Sequence, residues 1–310
     1  MRLACLHHAD SGERVLAIAT GEMTFHAVPA AAAAAGLPLD PEITDPMGLA
    51  WLTPQGLEQL AELSHRLDAS ALEALDLNHW RLSEPVPKPG KIIAVGRNYL
   101  DHVREGQEIW AKRGRKVDIP QFPSAFAKFA TSLCGPYDDI IIPAGMSDID
   151  YEIELAVIIG TPALDVAEDQ ALGHVAGYAI CNDFAARDIQ RREMEAQIGI
   201  TLSKNFPTFA PMGPWFTSAD SIGDPQTLQL TLEVDGEVRQ DANTSDMIFS
   251  VARLVSYWSR VGLDTGDILI TGTPSGVALA RENPQDYFLR PGQLVVARIE
   301  KLGELRNRMR

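Results

Sequence analysis

Residues 148–160 read "DIDYEIELAVIIG" and carry the clearest structural pattern in the chain. From Leu155 the sequence is continuously apolar up to Gly160, which is typical of a strand buried on both faces. Because side chains two positions apart on a strand share a face, the residues before it predict an acidic row that leads into a core strand. The row consists of Asp148, Asp150, Glu152 and Glu154.

This acidic row has two interpretations. Like charges on one face repel each other and burial increases that cost, so a bound cation would relieve both effects. Ligands that are all oxygen favour Mg²⁺, Mn²⁺ or Ca²⁺ over zinc. The alternative is a solvated acidic face, the more common situation for Glu152 and Glu154 taken alone. We expect Asp148 and Asp150, which precede the apolar run, to be turn or rim residues.

Asp183 supplies a further carboxylate. It follows the strand-like "GYAICN" (177–182) and precedes a predicted helix, "FAARDIQRREMEAQ" (184–197). Functional groups are often placed at the ends of strands, so Asp183 is a candidate metal ligand. The alternative is a helix N-cap, a role that Asp fills well.

Composition restricts the class of protein. The 310 residues carry a net charge of −15, which argues against a nucleic-acid partner. The three cysteines lie far apart, which argues against a disulfide framework or a structural zinc site. No apolar run reaches the ~20 residues that cross a bilayer, and the first residues show no secretory signal. We therefore expect a cytoplasmic protein with reduced thiols and no membrane partner.

The sequence predicts two domains. Residues 1–85 form a small α+β domain with strands at "RVLAIAT" (14–20) and "MTFHAVP" (23–29) and a helix that Thr53 caps. The proline-rich "SEPVPKPGK" (83–91) is typical of a linker. Residues 90–310 mix strands with few helices and no regular βαβ alternation, which predicts a strand-rich α+β fold. Helical spacing occurs at "AEDQALGHV" (167–175) and "SDMIFSVARLVSYWSRV" (245–261).

Five motifs occur in a recognisable order: "GRNYLDHVREG" (96–106), "DYEIELAVIIG" (150–160), "GYAICNDFAARDIQ" (177–190), "LSKNFPTFAPMGPW" (202–215) and "DILITGTPSGVA" (267–278). In this order they resemble the fumarylacetoacetate hydrolase superfamily, which includes acylpyruvate and fumarylpyruvate hydrolases and 2-hydroxyhepta-2,4-diene-1,7-dioate isomerase-like proteins. The resemblance covers residues 90–305. It implies a mixed β-sheet roll of the C-terminal type, a small N-terminal domain and a homodimer.

The resemblance also implies a metal site at Glu152, Glu154 and Asp183. The expected ion is Mg²⁺, with Mn²⁺ or Ca²⁺ as alternatives. A 2-oxo acid or 1,3-diketone would chelate this ion through two oxygens, and the ion would stabilise an enolate.

His102 and Glu105 match the catalytic pair of family hydrolases. At a separation of three residues on a helix their side chains are neighbours. Glu105 would orient the imidazole, and His102 would deprotonate water. Taken without the family, the pair is more simply a surface ion pair.

The remaining expected site residues match family positions at the substrate. Lys204 would stabilise an oxyanion or hold a carboxylate; its alternative is an exposed loop position. Arg187 and Gln190 share a helix face, and the alternative for Arg187 is an ion pair with Asp188 or Glu193. Thr273, in a turn rich in Gly and Pro, would bind a substrate carboxylate; without the family this is an ordinary turn.

One segment departs from the family pattern. Residues 107–121, "QEIWAKRGRKVDIPQ", are longer and more basic than the compact family loop. The basic residues are Lys112, Arg113, Arg115 and Lys116. A basic lid would favour an anionic substrate, whereas the simpler interpretation is a solvated loop.

These patterns lead to three hypotheses. The first is a Mg²⁺-dependent hydrolase of aromatic catabolism that cleaves a carbon–carbon bond in an acylpyruvate-like 1,3-diketo acid. The second is an isomerase, decarboxylase, hydratase or dehydratase of an anionic 2-oxo acid at the same metal site. The third is a non-enzymatic acidic protein that binds Ca²⁺ or a partner, although no EF-hand spacing supports it.

Overall fold

The computed structural model of the chain describes residues 1–112, 118–197 and 199–310. Strands dominate it. In chain order they are β1 (Arg2–His8), β2 (Arg14–Ala19), β3 (Phe25–Ala27), β4 (Trp80–Leu82), β5 (Ile92–Gly96), β6 (Ser124–Lys128), β7 (Leu133–Cys134), β8 (Ile149–Asp150), β9 (Ile153–Ile159), β10 (Val175–Asn182), β11 (Ala185–Ala186), β12 (Ala210–Ser218), β13 (Gln229–Val234), β14 (Glu237–Asn243), β15 (Ile268–Ile270), β16 (Leu294–Ile299) and β17 (Gly303–Arg308).

Short helices connect these strands. They are α1 (Val28–Ala34), α2 (Pro41–Thr44), α3 (Pro54–Arg66), α4 (Leu100–Lys112), α5 (Arg187–Glu195), α6 (Ala219–Ile222) and α7 (Val251–Trp258). The predicted cap of α3 is confirmed, because the Thr53 hydroxyl accepts a hydrogen bond from Gly56 N at 3.1 Å. None of the described helices is long and apolar enough to cross a membrane.

One large mixed sheet organises the molecule, with the strand order β3-β2-β1-β12-β10-β9-β15-β5-β6. Neighbours in this order are antiparallel except for the parallel pair β15 and β5. Off this order, β4 pairs with β1 in antiparallel fashion and β7 pairs with β12 in parallel fashion. A smaller antiparallel sheet has the order β14-β13-β16-β17, and β8 pairs with β11. The predicted strand-rich α+β class is confirmed.

The apolar run from the opening stretch forms β9 in the middle of the large sheet, and it is buried along its whole length. Leu155 and Val157 belong to the same apolar cluster as Leu230 of the smaller sheet. Ala156 and Ile158 lie in a second cluster, which includes Trp51. Because β9 is covered on both faces, it has no polar side chain after Glu154, as the continuous run predicts.

The first 85 residues contribute strands to the large sheet. Leu3 of β1 pairs with Phe216 of β12, and β2 and β3 continue the sheet outward. Sheet pairing therefore crosses the proposed boundary between residues 1–85 and 90–310, and the division into two domains stays a prediction.

Two local expectations require correction, and one strand was not predicted. The helical pattern at residues 167–175 produces only a short 3₁₀ helix, Ala171–His174, because the segment packs as a turn between strands. Asp148 and Asp150 are 4% and 0% exposed, so they are buried rather than rim residues. The strand β12 was not predicted, because the prolines in "APMGPWFTS" normally exclude a central strand.

The basic insertion lies mostly outside the described residues. The helix α4 extends to Lys112, but the side chain of Lys112 and all of residues 113–117, which include Arg113, Arg115 and Lys116, are not described. The proposed basic lid therefore stays a prediction.

All three cysteines are free and buried.

Candidate functional site

Two adjacent strands bring the predicted carboxylates together. Glu152 directly precedes β9, Glu154 is its second residue, and Asp183 follows β10, which pairs with β9 in antiparallel register. The backbone N–H of Asp183 donates to Glu152 O at 2.8 Å. One oxygen from each of the three carboxylates lies within 4.8 Å of the other two, and all three residues are buried. Three converging carboxylates are a donor set that fits a hard divalent ion.

Burial and neighbouring charge act on these carboxylates in opposite directions. Burial, together with Asp183 and Glu152, raises the pKa of Glu154 well above its ordinary value. Burial alone would also raise the pKa of Glu152, but Lys204 and Arg187 outweigh it and lower that pKa to about 2. Glu154 is thus the carboxylate whose negative charge lacks sufficient compensation from the side chains.

Two buried lysines neutralise part of the acidic group. Lys204 Nζ donates to Glu152 Oε2 at 2.5 Å and to Asp183 Oδ2 at 2.9 Å. Lys128 Nζ donates to Asp183 Oδ1 at 2.7 Å and to Phe209 O at 3.1 Å. Burial alone would lower the pKa of Lys204, but Asp183 and Glu152 raise it. Lys204 is therefore buried against the acidic group and is not an exposed loop position.

Lys128 was not predicted from the sequence. It ends β6 within "SAFAK", 55 residues away from Asp183 along the chain. Nothing in that stretch marks the lysine as different from a surface cation, because its partner is specified only by the pairing of β6 with β5 at the sheet edge. Only its low exposure of 3% distinguishes it.

Arg187 is the third buried cation. Its Nε donates to Asp150 Oδ2 at 2.8 Å, and its Nη2 donates to Glu152 Oε1 at 2.5 Å. A third bond, at 2.8 Å, goes to Gln190 Oε1, which confirms that Arg187 and Gln190 share a helix face. Arg187 thus pairs with the acidic row and not with Asp188 or Glu193, the alternatives that the sequence offered.

Asp150 has a positioning function that the sequence did not indicate. Besides holding Arg187, its carboxylate accepts the backbone N–H groups of Ala278 at 2.7 Å and Leu279 at 3.1 Å. It therefore connects α5 to the segment after the 271–276 turn. With the backbone N–H of Tyr151, which donates to Oδ1 at 3.0 Å, the carboxylate has four hydrogen-bond donors, and these offset the cost of desolvating its charge.

The turn containing Thr273 supports the acidic group from the other side. Gly272 N donates to Glu154 Oε2 at 2.6 Å. The Thr273 hydroxyl donates to Ile153 O at 2.9 Å and accepts from Gln240 Nε2 at 2.8 Å. Because both hydrogen-bonding capacities of this hydroxyl are used within the chain, Thr273 fixes the start of β9 in this structure.

His102 and Glu105 lie on α4, facing the same region. His102 Nδ1 is 3.7 Å from Glu105 Oε2, which is longer than a hydrogen bond. Within the described part of the chain, His102 Nδ1 is buried without a hydrogen-bond partner. Glu105 accepts instead from Gly276 N, at 3.0 and 3.1 Å to its two oxygens. His102 and Glu105 are thus adjacent but not hydrogen-bonded, and Glu105 connects α4 to the turn at residues 271–276 through Gly276 N.

A cavity of about 700 Å³ lies beside this group and is lined by His102, Arg187 and Gln190. Glu152, Glu154 and Asp183 do not line it themselves. Arg187 both lines the cavity and contacts Glu152, and Phe126 both lines it and packs 5.5 Å from Lys204 Nζ. These two side chains connect the cavity with the acidic group.

Arg97 also lines the cavity and was not predicted. It belongs to the quoted "GRNY", with φ of 57°, a left-handed conformation that a non-glycine residue seldom adopts. Its side chain is exposed, and within the described ranges it has no ion-pair partner. The sequence gives no signal for this geometry, because glycine is the residue type that indicates a positive φ and this position is an arginine.

Comparison with known proteins shows the family of this chain. The sequence pattern described as fumarylacetoacetate (FAA) hydrolase C-terminal matches residues 91–310. The chain belongs to this family. The superfamily resemblance of the five motifs is therefore confirmed.

Proteins of known name extend the comparison. The human oxaloacetate tautomerase FAHD2A, a mitochondrial protein, is 37% identical over 253 residues, which are 81% of this chain and 76% of that protein. The fumarylacetoacetate hydrolase of psychrophilic Exiguobacterium antarcticum is 30% identical, with a TM-score of 0.77 over 100% of this chain and 99% of the other. The fumarylpyruvate hydrolase of Pseudomonas aeruginosa, solved in complex with Mn²⁺ and pyruvate, is 33% identical, with a TM-score of 0.62 over 71% of this chain and 89% of the other.

These relatives restrict the function without fixing it. They are enzymes, and their names include hydrolases and a tautomerase. The family therefore supports an enzyme with a metal-dependent type of chemistry. Because the human relative is named mitochondrial, the expected cytoplasmic location stays a prediction.

Proposed function

We propose that this protein is a Mg²⁺- or Mn²⁺-dependent hydrolase of acylpyruvate-like 1,3-diketo acids. The observation that carries the proposal is the meeting of three buried carboxylates beside a cavity that His102 lines. Glu152, Glu154 and Asp183 would hold the ion. When bound, a divalent ion supplies a Lewis acid that stabilises negative charge on the two oxygens of a 2-oxo acid.

The side chains of the cavity supply binding and proton transfer. Among the arginines of the described cavity wall, Arg97 would bind the substrate carboxylate, since Arg187 is already paired with Asp150 and Glu152. Gln190, which lines the cavity, would polarise the carbonyl that is attacked. Lys204 would join it on exchanging its present partners, Glu152 and Asp183, for the developing oxyanion. His102 takes a proton from water, and Glu105 orients the imidazole when their 3.7 Å separation shortens to a hydrogen bond.

The bond changes balance with water as the only co-reactant. The hydroxide formed at His102 adds to the carbonyl carbon distal to the 2-oxo acid. The carbon–carbon bond on its pyruvate side then breaks, and the electron pair leaves with the three-carbon fragment. His102 returns its proton to that fragment, which gives pyruvate and a carboxylic acid.

A second candidate is tautomerisation of a 2-oxo acid such as oxaloacetate, since the human relative carries that name at 37% identity. It needs proton transfer between carbon and oxygen but no water. The unformed hydrogen bond between His102 and Glu105 is compatible with this simpler role.

Product analysis on the Mn²⁺-loaded enzyme separates the candidates. With acetylpyruvate we expect pyruvate and acetate in equal amounts, and we expect His102→Ala to abolish their formation while Mn²⁺ affinity is retained. His65→Ala, which changes an exposed histidine on α3, is the matched control and should leave turnover unchanged. Oxaloacetate enol–keto conversion without any cleavage of acylpyruvates would reject hydrolysis in favour of tautomerisation, and unchanged turnover in His102→Ala would reject the role of His102.

A further inference from the structure

The arginines that line the cavity differ in whether they are already paired. Arg187 is held by Asp150 and Glu152, and Arg191 Nη2 is 2.5 Å from Asp148 Oδ2. Arg97 lines the same cavity without an ion pair in the described part of the chain. Among the described residues, the arginines of the cavity wall therefore leave one guanidinium available for a ligand carboxylate.

The rest of the wall is mainly apolar. Its apolar side chains come from four separate segments, so the surface is a built feature of the fold rather than one exposed helix face. They are Val103 from α4, Phe126 from β6, Met194 and Ile200 from the region around the end of α5, and Val277 and Leu279 from the segment after the 271–276 turn. A cavity of about 700 Å³ is in the range that encloses a drug-sized ligand.

Charge and shape together select a class of substrate. Against the part of the wall that the described residues form, a dicarboxylic 2-oxo acid would place its second carboxylate beside apolar side chains, where desolvation of the charge is costly. An apolar group of the substrate would instead fill that wall and gain affinity from burial. A small dicarboxylic acid such as oxaloacetate would also leave much of the space unused.

We infer that the preferred ligand is a 2-oxo acid with one free carboxylate and a bulky apolar substituent, such as an aryl or medium-chain acylpyruvate. The inference rests on the proposed function for the reaction, but the preference itself concerns binding. The carboxylate end lies toward Arg97 and the acidic group, and the apolar substituent lies against Val277, Leu279 and Ile200.

Binding of uncleavable probes tests this preference without requiring turnover. Calorimetry on the Mn²⁺-loaded protein should give 4-phenyl-2-oxobutanoate an affinity at least tenfold higher than pyruvate, and 2-oxoglutarate should bind no more tightly than pyruvate. Equal affinity for the phenyl compound and pyruvate, or tighter binding of 2-oxoglutarate than of the phenyl compound, would overturn the inference.

Placing a second cation on the apolar wall should reverse the preference. We expect Leu279→Arg to weaken binding of 4-phenyl-2-oxobutanoate at least tenfold and to strengthen binding of 2-oxoglutarate. Leu164→Arg adds the same charge at a residue that is 75% exposed and does not line the cavity, so it should bind both probes as the wild type does. Ile200→Arg at the same wall provides a second variant if Leu279→Arg does not fold.

Cleavage assays distinguish failure of this inference from failure of the proposed function. Tight binding of the phenyl probe without cleavage of benzoylpyruvate would reject the hydrolase and support the apolar preference. Cleavage of fumarylpyruvate in preference to benzoylpyruvate would support the hydrolase and overturn the apolar preference. Absence of binding by any 2-oxo acid would reject both.

Discussion

The buried carboxylates and cations of the site determine how single side chains respond to pH. Asp150, Glu152 and Asp183 each have a cationic partner at hydrogen-bonding distance, whereas the one donor to the Glu154 carboxylate among the described residues is the N–H of Gly272. The raised pKa of Glu154 follows from its burial beside Asp183 and Glu152. In the native protein without metal, Glu154 consequently holds its proton at pH values where the unfolded chain has released it.

The raised pKa of Glu154 has a measurable effect on stability. Because the native state binds the extra proton, the contribution of Glu154 to the free energy of unfolding falls as the pH rises above 4.5, the ordinary pKa of a Glu side chain. We expect Glu154→Gln to remove this part of the pH dependence in chelator-treated protein and to be at least as stable as the wild type at pH 8. Urea unfolding at several pH values measures it.

Glu58→Gln, on the surface of α3, is the control and should keep the wild-type pH dependence. A Glu154→Gln variant that is less stable than the wild type at pH 8 would contradict the account of an uncompensated charge. Added Mn²⁺ should reduce the difference between the free energies of unfolding of the wild type at low and at high pH, because the ion compensates the charge of the carboxylate directly.

Some of these side chains could be predicted from the sequence and others could not. Glu152, Glu154 and Asp183 were predictable because strand periodicity places the first two on one face and the order of motifs supplies the third. Lys128 and Arg97 were not, because their roles depend on the sheet pairing of β6 and on a left-handed backbone. The burial of Asp150 required knowledge of Arg187, which lies 37 residues further along the chain.

A short 3₁₀ helix, Leu202–Lys204, carries Lys204 into the site, and α5 holds it in place. Glu193 of α5 accepts the backbone N–H groups of Thr201 at 3.0 Å and Leu202 at 2.6 Å, together with the Ser203 hydroxyl at 2.5 Å. Partial burial alone would raise the pKa of Glu193, but these bonds outweigh it and lower that pKa. The carboxylate therefore stabilises the fold above the ordinary Glu pKa, and this contribution is lost as the pH falls.

We expect Glu193→Gln to lower the free energy of unfolding by about 1 kcal/mol at pH 7, because charge-assisted hydrogen bonds become weaker neutral ones. Glu195→Gln changes an exposed residue two positions along the same helix and should have almost no effect. Urea unfolding compares the two variants. Equal free energies of unfolding for the two variants would show that the hydrogen bonds to Glu193 do not stabilise the 3₁₀ helix Leu202–Lys204.

Prediction of the elements succeeded where local pattern and tertiary environment agree. The cap of α3 and the strand β9 follow from Thr53 and from the continuous apolar run. β12 was missed because Pro211 and Pro214 oppose a strand locally, although its neighbours β1, β7 and β10 supply the pairing. The helical spacing at residues 167–175 likewise gave way to packing of a turn against α7.

The whole molecule depends on a sheet that crosses the predicted domain boundary. β1 covers β12 on the side away from β10, and the apolar cluster of Trp51 and Leu60 covers Ala156 and Ile158 of β9. Removal of residues 1–85 would expose both an unpaired strand edge and an apolar face.

We therefore expect a fragment of residues 86–310 to aggregate or to lose cooperative unfolding, even though it contains all of residues 91–310 that match the family. Size-exclusion chromatography and thermal unfolding of the fragment and of the full chain measure the difference. A monodisperse fragment with the stability of the full chain would contradict this expectation. It would show that residues 90–310 are an independent folding unit, which is what the two-domain prediction states.

Metal titration tests the central claim most directly, since the proposed chemistry requires Glu152, Glu154 and Asp183 to share one ion. Calorimetric titration of the chelator-treated protein with Mn²⁺ should show one site, and Asp183→Asn should weaken it at least tenfold. The matched control Asp188→Asn, on the neighbouring helix, should keep wild-type affinity. Absence of Mn²⁺ and Mg²⁺ binding by the wild type, or equal affinity in Asp183→Asn, would contradict the account.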